Sequence, residues 1–110
     1  MAVKNITGDD WDSEVINKNG VTVVDFWGEG CAPCKTLAPI IESYANDNPD
    51  KNVLKVNFND AIEVAVSLEL RGVPSLYLFI DGKLNKSHTG VMNKSELTDW
   101  VNSPLEFGKN

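Results

Sequence analysis

Two spacings of apolar residues alternate along the chain, one typical of strands and one typical of helices. Runs of β-branched, aromatic and aliphatic residues predict strands at Val3–Ile6, Val21–Trp27, Asn52–Asn59 and Ser75–Ile80. The second run is apolar on both faces apart from Thr22 and Asp25, as is typical of a strand buried within a parallel sheet. It is therefore predicted to lie at the centre of the sheet.

Apolar residues at helical spacing lie between these strands. These residues predict four helices, each with one apolar face. In chain order, the apolar faces comprise Trp11, Val15 and Ile16; Leu37, Ile40, Ile41 and Tyr44; the apolar residues of Ala61–Leu70; and Leu97, Trp100 and Val101. The second of these helices is predicted to begin at Ala32 or Pro33, within the segment that holds both cysteines. Asn93, with Glu96 three residues later, predicts a capping box for the last helix.

The Asp81-Gly82 pair predicts a two-residue hairpin turn that leads into a last strand at Lys83–Thr89. The predicted order is β-α-β-α-β-α-β-β-α, on a chain of one-domain length. This order predicts a single α/β domain over residues 1–110. Its central sheet of about four to five strands is mixed, with parallel strands from the front of the chain, an antiparallel hairpin from the back and helices on both faces.

Composition narrows the possible partners. The chain has 42% hydrophobic and 24% charged residues and a net charge of -6, and its 10 Lys and Arg residues are scattered. Nucleic acids and anionic membranes recruit clustered cations, so we expect neither as a partner.

The start MAVKNITGDDW lacks the apolar core of a signal peptide, and no run approaches the ~18 apolar residues of a membrane span, so we expect a cytoplasmic protein. Because thiols stay reduced there, a cysteine pair is expected to be catalytic or metal-binding.

Both cysteines lie in the stretch WGEGCAPCK, where Ala32 and Pro33 separate Cys31 from Cys34. A structural zinc site usually has four ligands, and the one histidine, His88, falls far along the chain on the predicted hairpin, so we expect no metal. An inert pair of buried thiols does not account for the spacing of the two cysteines. Thiols at i and i+3 at a helix start share one face, so they can form a disulfide with little movement. A redox pair explains the spacing better.

The predicted helix start would make Cys31 the attacking sulfur of such a pair. Its sulfur would face unpaired backbone N–H groups and the positive end of the helix dipole, which lower the pKa of the thiol below its usual ~8.5. Cys34, one turn deeper, is expected to be less exposed and to keep its proton until it resolves a mixed disulfide. Lys35 can support the thiolate, although an ordinary solvated lysine explains it equally well.

Asp25 interrupts an otherwise apolar strand before Cys31. Burial would raise its pKa and let it exchange a proton near neutral pH, and our hypothesis is that it accepts the Cys34 proton, directly or through water. A carboxylate turned to solvent at a strand edge is the alternative, but the apolar residues before it and the aromatic residues after it favour burial. Asp25 thus joins Cys31 and Cys34 as a candidate catalytic residue.

The ordered segments VVDFWGEGCAPCK, LKVNFN and RGVPSLYLFIDGK, followed by Gly90, resemble the thioredoxin family over nearly the whole chain. This resemblance implies the thioredoxin fold and a protein-disulfide reductase in which Cys31 attacks a client disulfide and Cys34 resolves the adduct. It also implies a thioredoxin reductase that restores the dithiol, and no metal or organic cofactor, because the electrons travel in the cysteines. We expect a monomer.

The same resemblance assigns roles that spacing could not supply. Pro74 falls where the family has a cis-proline loop facing the disulfide, and Val73 would offer backbone N–H and C=O groups to an extended client segment. Lys55 matches a lysine near the buried aspartate, where its charge would oppose the rise in the Asp25 pKa. Pro33, between the cysteines, is a supporting residue. The docking surface around the nucleophile is predicted to comprise Trp27, Gly30, Ala32, Gly72, Val73, Pro74, Gly90 and Val91.

Two positions of the cysteine motif depart from the family pattern. Gly30 stands where Trp is usual, and losing that indole removes contact surface, so we expect the clients and the recognition by the reductase to differ. Ala32 stands where Gly is usual and favours helix by up to ~1 kcal/mol, which would move the redox potential if helix order differs between the two redox states. Asn59 also replaces a usual acid, and nothing in the sequence explains that change.

Two other functions are compatible with the same motif. A disulfide oxidant or isomerase would use the same sulfurs in the opposite direction, but such proteins usually work in oxidising compartments and often carry His between the cysteines. A binding module would need the fold and not the sulfurs, so it could dispense with both cysteines and with a buried Asp. These remain the alternatives to a reductase.

Overall fold

A computed structural model of the chain describes residues 2–106, which form one five-stranded sheet in the order β1-β3-β2-β4-β5. The strands are β1 Val3–Ile6, β2 Val21–Trp27, β3 Asn52–Asn57, β4 Ser75–Ile80 and β5 Lys83–Thr89. β3 is parallel to β1 and β2, whereas β4 is antiparallel to β2 and to β5. The predicted mixed sheet is confirmed. Residues 1 and 107–110 lie outside the described range, so the single domain over the whole chain stays a prediction.

The α-helices of this part of the chain are α1 Ala32–Asp47, α2 Ile62–Ser67 and α3 Lys94–Val101. Shorter helical turns lie at Gly8–Asp10, Asp12–Ile16 and Phe58–Asp60. The predicted capping box is present at α3: the Glu96 N–H donates to Asn93 Oδ1 at 2.8 Å, and the Asn93 N–H donates to Glu96 Oε1 at 2.9 Å. It supplies partners for backbone groups that a helix start leaves free.

Buried side chains form two clusters, one on each face of the sheet. The first packs α1 and α3 on the sheet and includes Leu37, Ile41, Tyr44, Leu97 and Val101. The second includes Trp11, Val15, Phe26, Tyr77 and Phe79. Side chains alternate along a strand, and Val23 belongs to the first cluster while Val24 belongs to the second. Asp25 therefore points to the face that α1 covers.

The helix predicted after β1 is present as an unbroken run of irregular helical turns over residues 8–16, but the prediction that Ile16 lies on its buried face is wrong. Trp11 and Val15 are buried, but Ile16 is 43% exposed. Ile16 ends the second turn, and its carbonyl packs against Gly82, where an added Cβ would lie 1.9 Å from the Ile16 oxygen. This contact holds the main chain of Ile16 against the β4–β5 turn, and the side chain is left partly in solvent.

Local hydrogen bonds set the ends of two strands. β3 ends at Asn57, earlier than predicted, because the Asn57 side-chain oxygen accepts the Asn59 N–H at 3.0 Å and starts a helical turn. The predicted hairpin turn is confirmed, since Asp81 and Gly82 both have positive φ, 52° and 81°. Asp81 Oδ1 also accepts the Gly20 N–H at 2.7 Å, which ties the hairpin to the loop before β2.

Candidate active site

The loop after β2 brings both cysteines to the start of α1. Cys31 is the N-cap residue, and the helix proceeds from Ala32. A disulfide joins Cys31 to Cys34, whose Cα atoms are 5.3 Å apart, and the Cys34 N–H donates to Cys31 Sγ at 3.2 Å. Cys31 is half-buried, whereas Cys34 is only 6% exposed. The outer sulfur can therefore meet a partner protein, while the inner sulfur is shielded.

Asp25 lies in β2 on the face covered by α1 and is 1% exposed. Its Oδ1 is buried without a hydrogen-bond partner among residues 2–106. Burial raises the pKa of Asp25 from 3.8 to about 7, and the charge of Lys55, its neighbour in register on β3, acts in the opposite direction. The carboxyl group can therefore both hold and release a proton near neutral pH.

The loop before β4 faces the disulfide. The Val73–Pro74 peptide bond is cis, as the resemblance implies, and the Val73 carbonyl oxygen lies 3.7 Å from Cys31 Sγ. The Gly90 N–H donates to the Pro74 carbonyl at 2.9 Å, which fixes the end of β5 to the same loop. Residues far apart in the sequence are thus brought next to the outer sulfur.

The residues of the predicted docking surface differ in how much they reach solvent. Gly30 and Ala32 are exposed, as is Val91 at 40%. Pro74 is buried, so it shapes the loop and offers little area to a client. The supporting residues Pro33 and Lys35 are exposed on the first turn of α1, and the half-buried members of the surface are Trp27, Gly72, Val73 and Gly90.

A cavity of about 300 Å³ opens beside the disulfide, and Cys34, Gly30 and Trp27 contribute to its wall. Lys35 and Lys55 also line it. The Lys55 ammonium lies over the Trp27 ring, 5.6 Å from the ring centroid, a cation–π geometry. The indole Nε1 of Trp27 is buried and has no hydrogen-bond partner in the described part of the chain.

Sequence reasoning missed a contact between Gly28 and Phe58. A Cβ added to Gly28 would lie 2.8 Å from Phe58 Cε2 and 3.5 Å from Val73 Cγ2, so the absence of a side chain lets the Phe58 ring pack there. Phe58 and Val73 line a second cavity of about 220 Å³, together with Arg71. A Gly at the end of a buried strand can signal close packing, but the sequence does not show that the ring packed on Gly28 comes from Phe58, which lies after a different strand.

His88 lies in β5 opposite Leu76, as expected of a hairpin residue. Residues 2–106 contain no group of three or more His, Cys, Asp or Glu side chains placed to hold a metal ion. A search of the same residues finds no helix with the length and apolar character needed to cross a membrane.

A disulfide between an outer and an inner cysteine at a helix start defines a class of protein that exchanges thiols and disulfides. Here a buried carboxyl group lies on the same face of the sheet, and a cis-proline loop lies beside the outer sulfur.

Comparison with known proteins identifies the family. The thioredoxin family model matches residues 2–103. The chain is 34% identical to thioredoxin of Acidithiobacillus ferridurans over 105 residues, which cover 94% of this chain and 97% of that protein. It is 34% identical to thioredoxin of Rickettsia prowazekii over 104 residues, with 94% and 99% covered, and 31% identical to thioredoxin of Pseudomonas aeruginosa over 104 residues, with 94% and 96% covered.

The chain belongs to the thioredoxin family. It is a thiol–disulfide oxidoreductase that reduces protein disulfides, and the thioredoxin fold predicted from its sequence is confirmed. Membership implies disulfide-containing client proteins and, in general, a reductase that restores the dithiol.

Proposed function

We propose that Cys31 is the nucleophile and Cys34 the resolving cysteine of the reducing cycle. The Cys31 thiolate attacks one sulfur of a client disulfide, which forms a mixed disulfide and releases the other client sulfur as a thiol. Cys34 then attacks Cys31, which releases the second client thiol and leaves the Cys31–Cys34 disulfide. The client gains two electrons and two protons, and the protein dithiol loses them.

The position of Cys31 is the observation that carries this assignment. Its Sγ accepts the Cys34 N–H at 3.2 Å at the N-terminus of α1, which is 16 residues long. In the dithiol, the same N–H group and helix dipole would stabilise a thiolate on this sulfur. Cys34 lacks the exposure needed to meet a client protein, so it suits the intramolecular second step.

Asp25 is proposed to take the proton of the Cys34 thiol when Cys34 attacks, directly or through water. A base for this step must be unprotonated at working pH yet basic enough to accept a proton. The Asp25 pKa of about 7 meets both requirements, and Lys55 limits how far burial raises that pKa. Lys55 is therefore a supporting residue of the proton transfer.

Clients are proposed to bind as an extended segment beside the cis-proline loop. The Val73 backbone would pair with this segment as in strand addition, which places a client sulfur near Cys31. The rest of the contact area comes from the docking surface, in which Gly30 contributes backbone and no side chain. The range of clients is expected to differ accordingly from that of relatives with Trp at this position.

The electron source is proposed to be a thioredoxin reductase. No metal or organic cofactor is proposed for this chain, because both electrons travel in the sulfurs. A dithiol reductant needs a compartment in which thiols are kept reduced, so we place the cycle in the cytoplasm. We propose a monomer, which keeps the docking surface free for client and reductase in turn.

Replacement Cys34→Ser tests the two cysteine roles. The variant keeps the attacking sulfur and loses the resolving one, so we expect insulin reduction to fall at least about a hundredfold. A mixed disulfide between Cys31 and the client should accumulate and be visible by mass spectrometry under non-reducing conditions. The control Cys31→Ser should neither turn over nor trap a client. If Cys31→Ser still reduces insulin or carries the adduct, the assignment of the nucleophile is wrong.

A further inference from the structure

Cys31 does not line the cavity beside the disulfide, but Gly30, the residue before it, and Cys34, its disulfide partner, both do. The volume of the cavity is about 300 Å³. Small-molecule pockets begin near this size, so a single side chain fits. Because Cys31 is the sulfur bonded to the client, the part of the client that reaches this cavity must lie close to its reacting cysteine.

Gly30 leaves the wall of this cavity without a side chain. Its backbone has φ +73°, and a Cβ built on it would meet no atom within 4 Å. Any side chain at this position would therefore extend into open space beside the disulfide. In this chain that space is left to the client.

The charged groups of the cavity are mostly cationic. Lys35 and Lys55 line it, and neither forms an ion pair within residues 2–106. The ion pairs that are formed there engage Lys4, Lys18, Lys51 and Lys94, none of which lines the cavity. Glu29 is an exposed acid on the same wall and offsets part of this charge. Asp25, in register with Lys55 and with a pKa of about 7, is partly ionised near neutral pH and offsets a further fraction. The two lysines still exceed these acids, so the local charge is positive on a chain whose net charge is -6.

Trp27 adds an apolar wall to the cavity. Its ring lines the cavity, and its Nε1 is buried without a partner in the described structure. Because Nε1 has almost no exposed surface, it is not offered to a group in the cavity, and the ring serves as an apolar wall together with Ala38. A group that complements this wall and the two lysines carries a negative charge on a short apolar stem.

We propose that this cavity binds the carboxylate side chain of a Glu or Asp that neighbours the reacting cysteine of a client protein. Lys35 and Lys55 supply the attraction, and the apolar wall of Trp27 and Ala38 accommodates the methylene groups. The site rests on the proposed function and deepens it, because it selects clients with an acid next to the disulfide. At physiological salt, charges act over about 8 Å, so the lysines of the cavity outweigh the distant acids of the protein.

Symmetric disulfide dimers of short peptides test this preference. Each peptide has one Cys and one variable residue, Glu, Gln or Lys, placed before the Cys in one series and after it in the other. The rate constant for reduction by the dithiol protein is divided by that for dithiothreitol, because neighbouring charge alters the leaving thiol. In at least one series we expect Glu to exceed Gln by about fivefold at low salt, Lys to fall below Gln, and both differences to shrink in 1 M NaCl.

Variants locate the preference in the cavity. Lys35→Gln and Lys55→Gln should each lower the Glu-to-Gln ratio, and Glu29→Gln should raise it. The matched control is Lys83→Gln, which removes the same charge from an exposed lysine of β5 that pairs with Ile80, at the end of the hairpin away from Pro74. The Glu-to-Gln rate ratio should be the same in Lys83→Gln as in the wild type. Because the readout is a ratio between peptides, general effects of a variant on sulfur chemistry cancel.

Three results would overturn the inference in distinguishable ways. A wild-type ratio near one in both series, with normal reduction of the Gln peptides, rejects the carboxylate site and leaves the proposed function intact. A ratio that persists in both lysine variants, or falls equally in Lys83→Gln, rejects the cavity as its origin. Failure to reduce any peptide or insulin rejects the proposed function and this inference with it.

Discussion

Asp25 is placed where its ionisation opposes folding. The carboxyl group keeps its proton up to about pH 7 in the folded protein, because burial raises its pKa, whereas the unfolded chain releases it near the ordinary value of 3.8. Between these values the folded state binds more protons, so its stability falls as pH rises, with a full cost of roughly 4 kcal/mol above the folded pKa. The ionised Asp25 carboxylate therefore lowers the stability of the fold near neutral pH.

Replacement Asp25→Asn should remove this pH dependence. Asn stays neutral, so we expect the stability of the variant relative to wild type to increase by about 2–3 kcal/mol between pH 5 and pH 8. Urea denaturation of the disulfide form at both pH values measures the change. The resolution step should also lose its inflection near pH 7 in the variant. A difference in stability that is flat with pH would show that the carboxyl group does not titrate in this range.

Some features of single residues could be predicted from their neighbours in the sequence, and others could not. The burial of Asp25 and the order of exposure of Cys31 and Cys34 followed from strand pattern and helix position. The packing of Phe58 on Gly28 could not be predicted, because the two residues meet only when the loop after β3 folds over the end of β2. The roles of the docking residues remain proposals.

At the scale of elements, the β4–β5 turn fastens the sheet to the turns after β1. Gly82 is in the left-handed region and its Cα faces the Ile16 carbonyl. Gly20 is nearby and also has positive φ, but a Cβ on Gly20 would meet nothing within 4 Å. The two glycines thus share a backbone conformation and differ in the space around them.

Replacement Gly82→Ala should therefore destabilise the protein more than Gly20→Ala. We expect a loss of about 2–4 kcal/mol for Gly82→Ala, from backbone strain and the clash with Ile16, and about 1 kcal/mol for Gly20→Ala, from backbone strain alone. Thermal or urea unfolding measures both. Insulin reduction by the folded protein should be unchanged, because the turn lies at the end of β4 away from Pro74. Equal losses of stability in the two variants would mean that the Ile16 carbonyl moves away from the added Cβ at little cost in free energy, which contradicts this prediction.

Elements with a strong local pattern could be predicted closely, and those set by contacts could not. The bounds of β2 and β4 match the apolar runs, and the α3 capping box and the hairpin turn follow from a few residues each. The turns over Gly8–Asp10 and Asp12–Ile16 have weak local preferences, and their form depends on packing against α2 and Gly82. β3 is shortened by one side-chain hydrogen bond that competes with the strand.

The molecule as a whole is acidic, with a net charge of -6, whereas two lysines line the small cavity beside its disulfide. The sheet topology places the end of β2, the start of α1 and the loop before β4 at one end of the sheet. The disulfide therefore lies beside Val73, and Asp25 lies two residues before the end of β2. The fold could be predicted because the order of elements and the family motifs agree. The cavity could not, since it arises between β2, β3 and α1 only in the folded chain.

The direction of electron flow is a property of the whole molecule, and the redox potential of the Cys31–Cys34 pair measures it directly. Equilibration of the protein with glutathione buffers, followed by alkylation and mass analysis, gives the fraction of disulfide at each ratio. A reductase of client disulfides requires a potential more negative than that of the cytosolic glutathione pool, below about −240 mV. A potential less negative than about −200 mV would contradict the account, because the protein would then act as an oxidant of its clients.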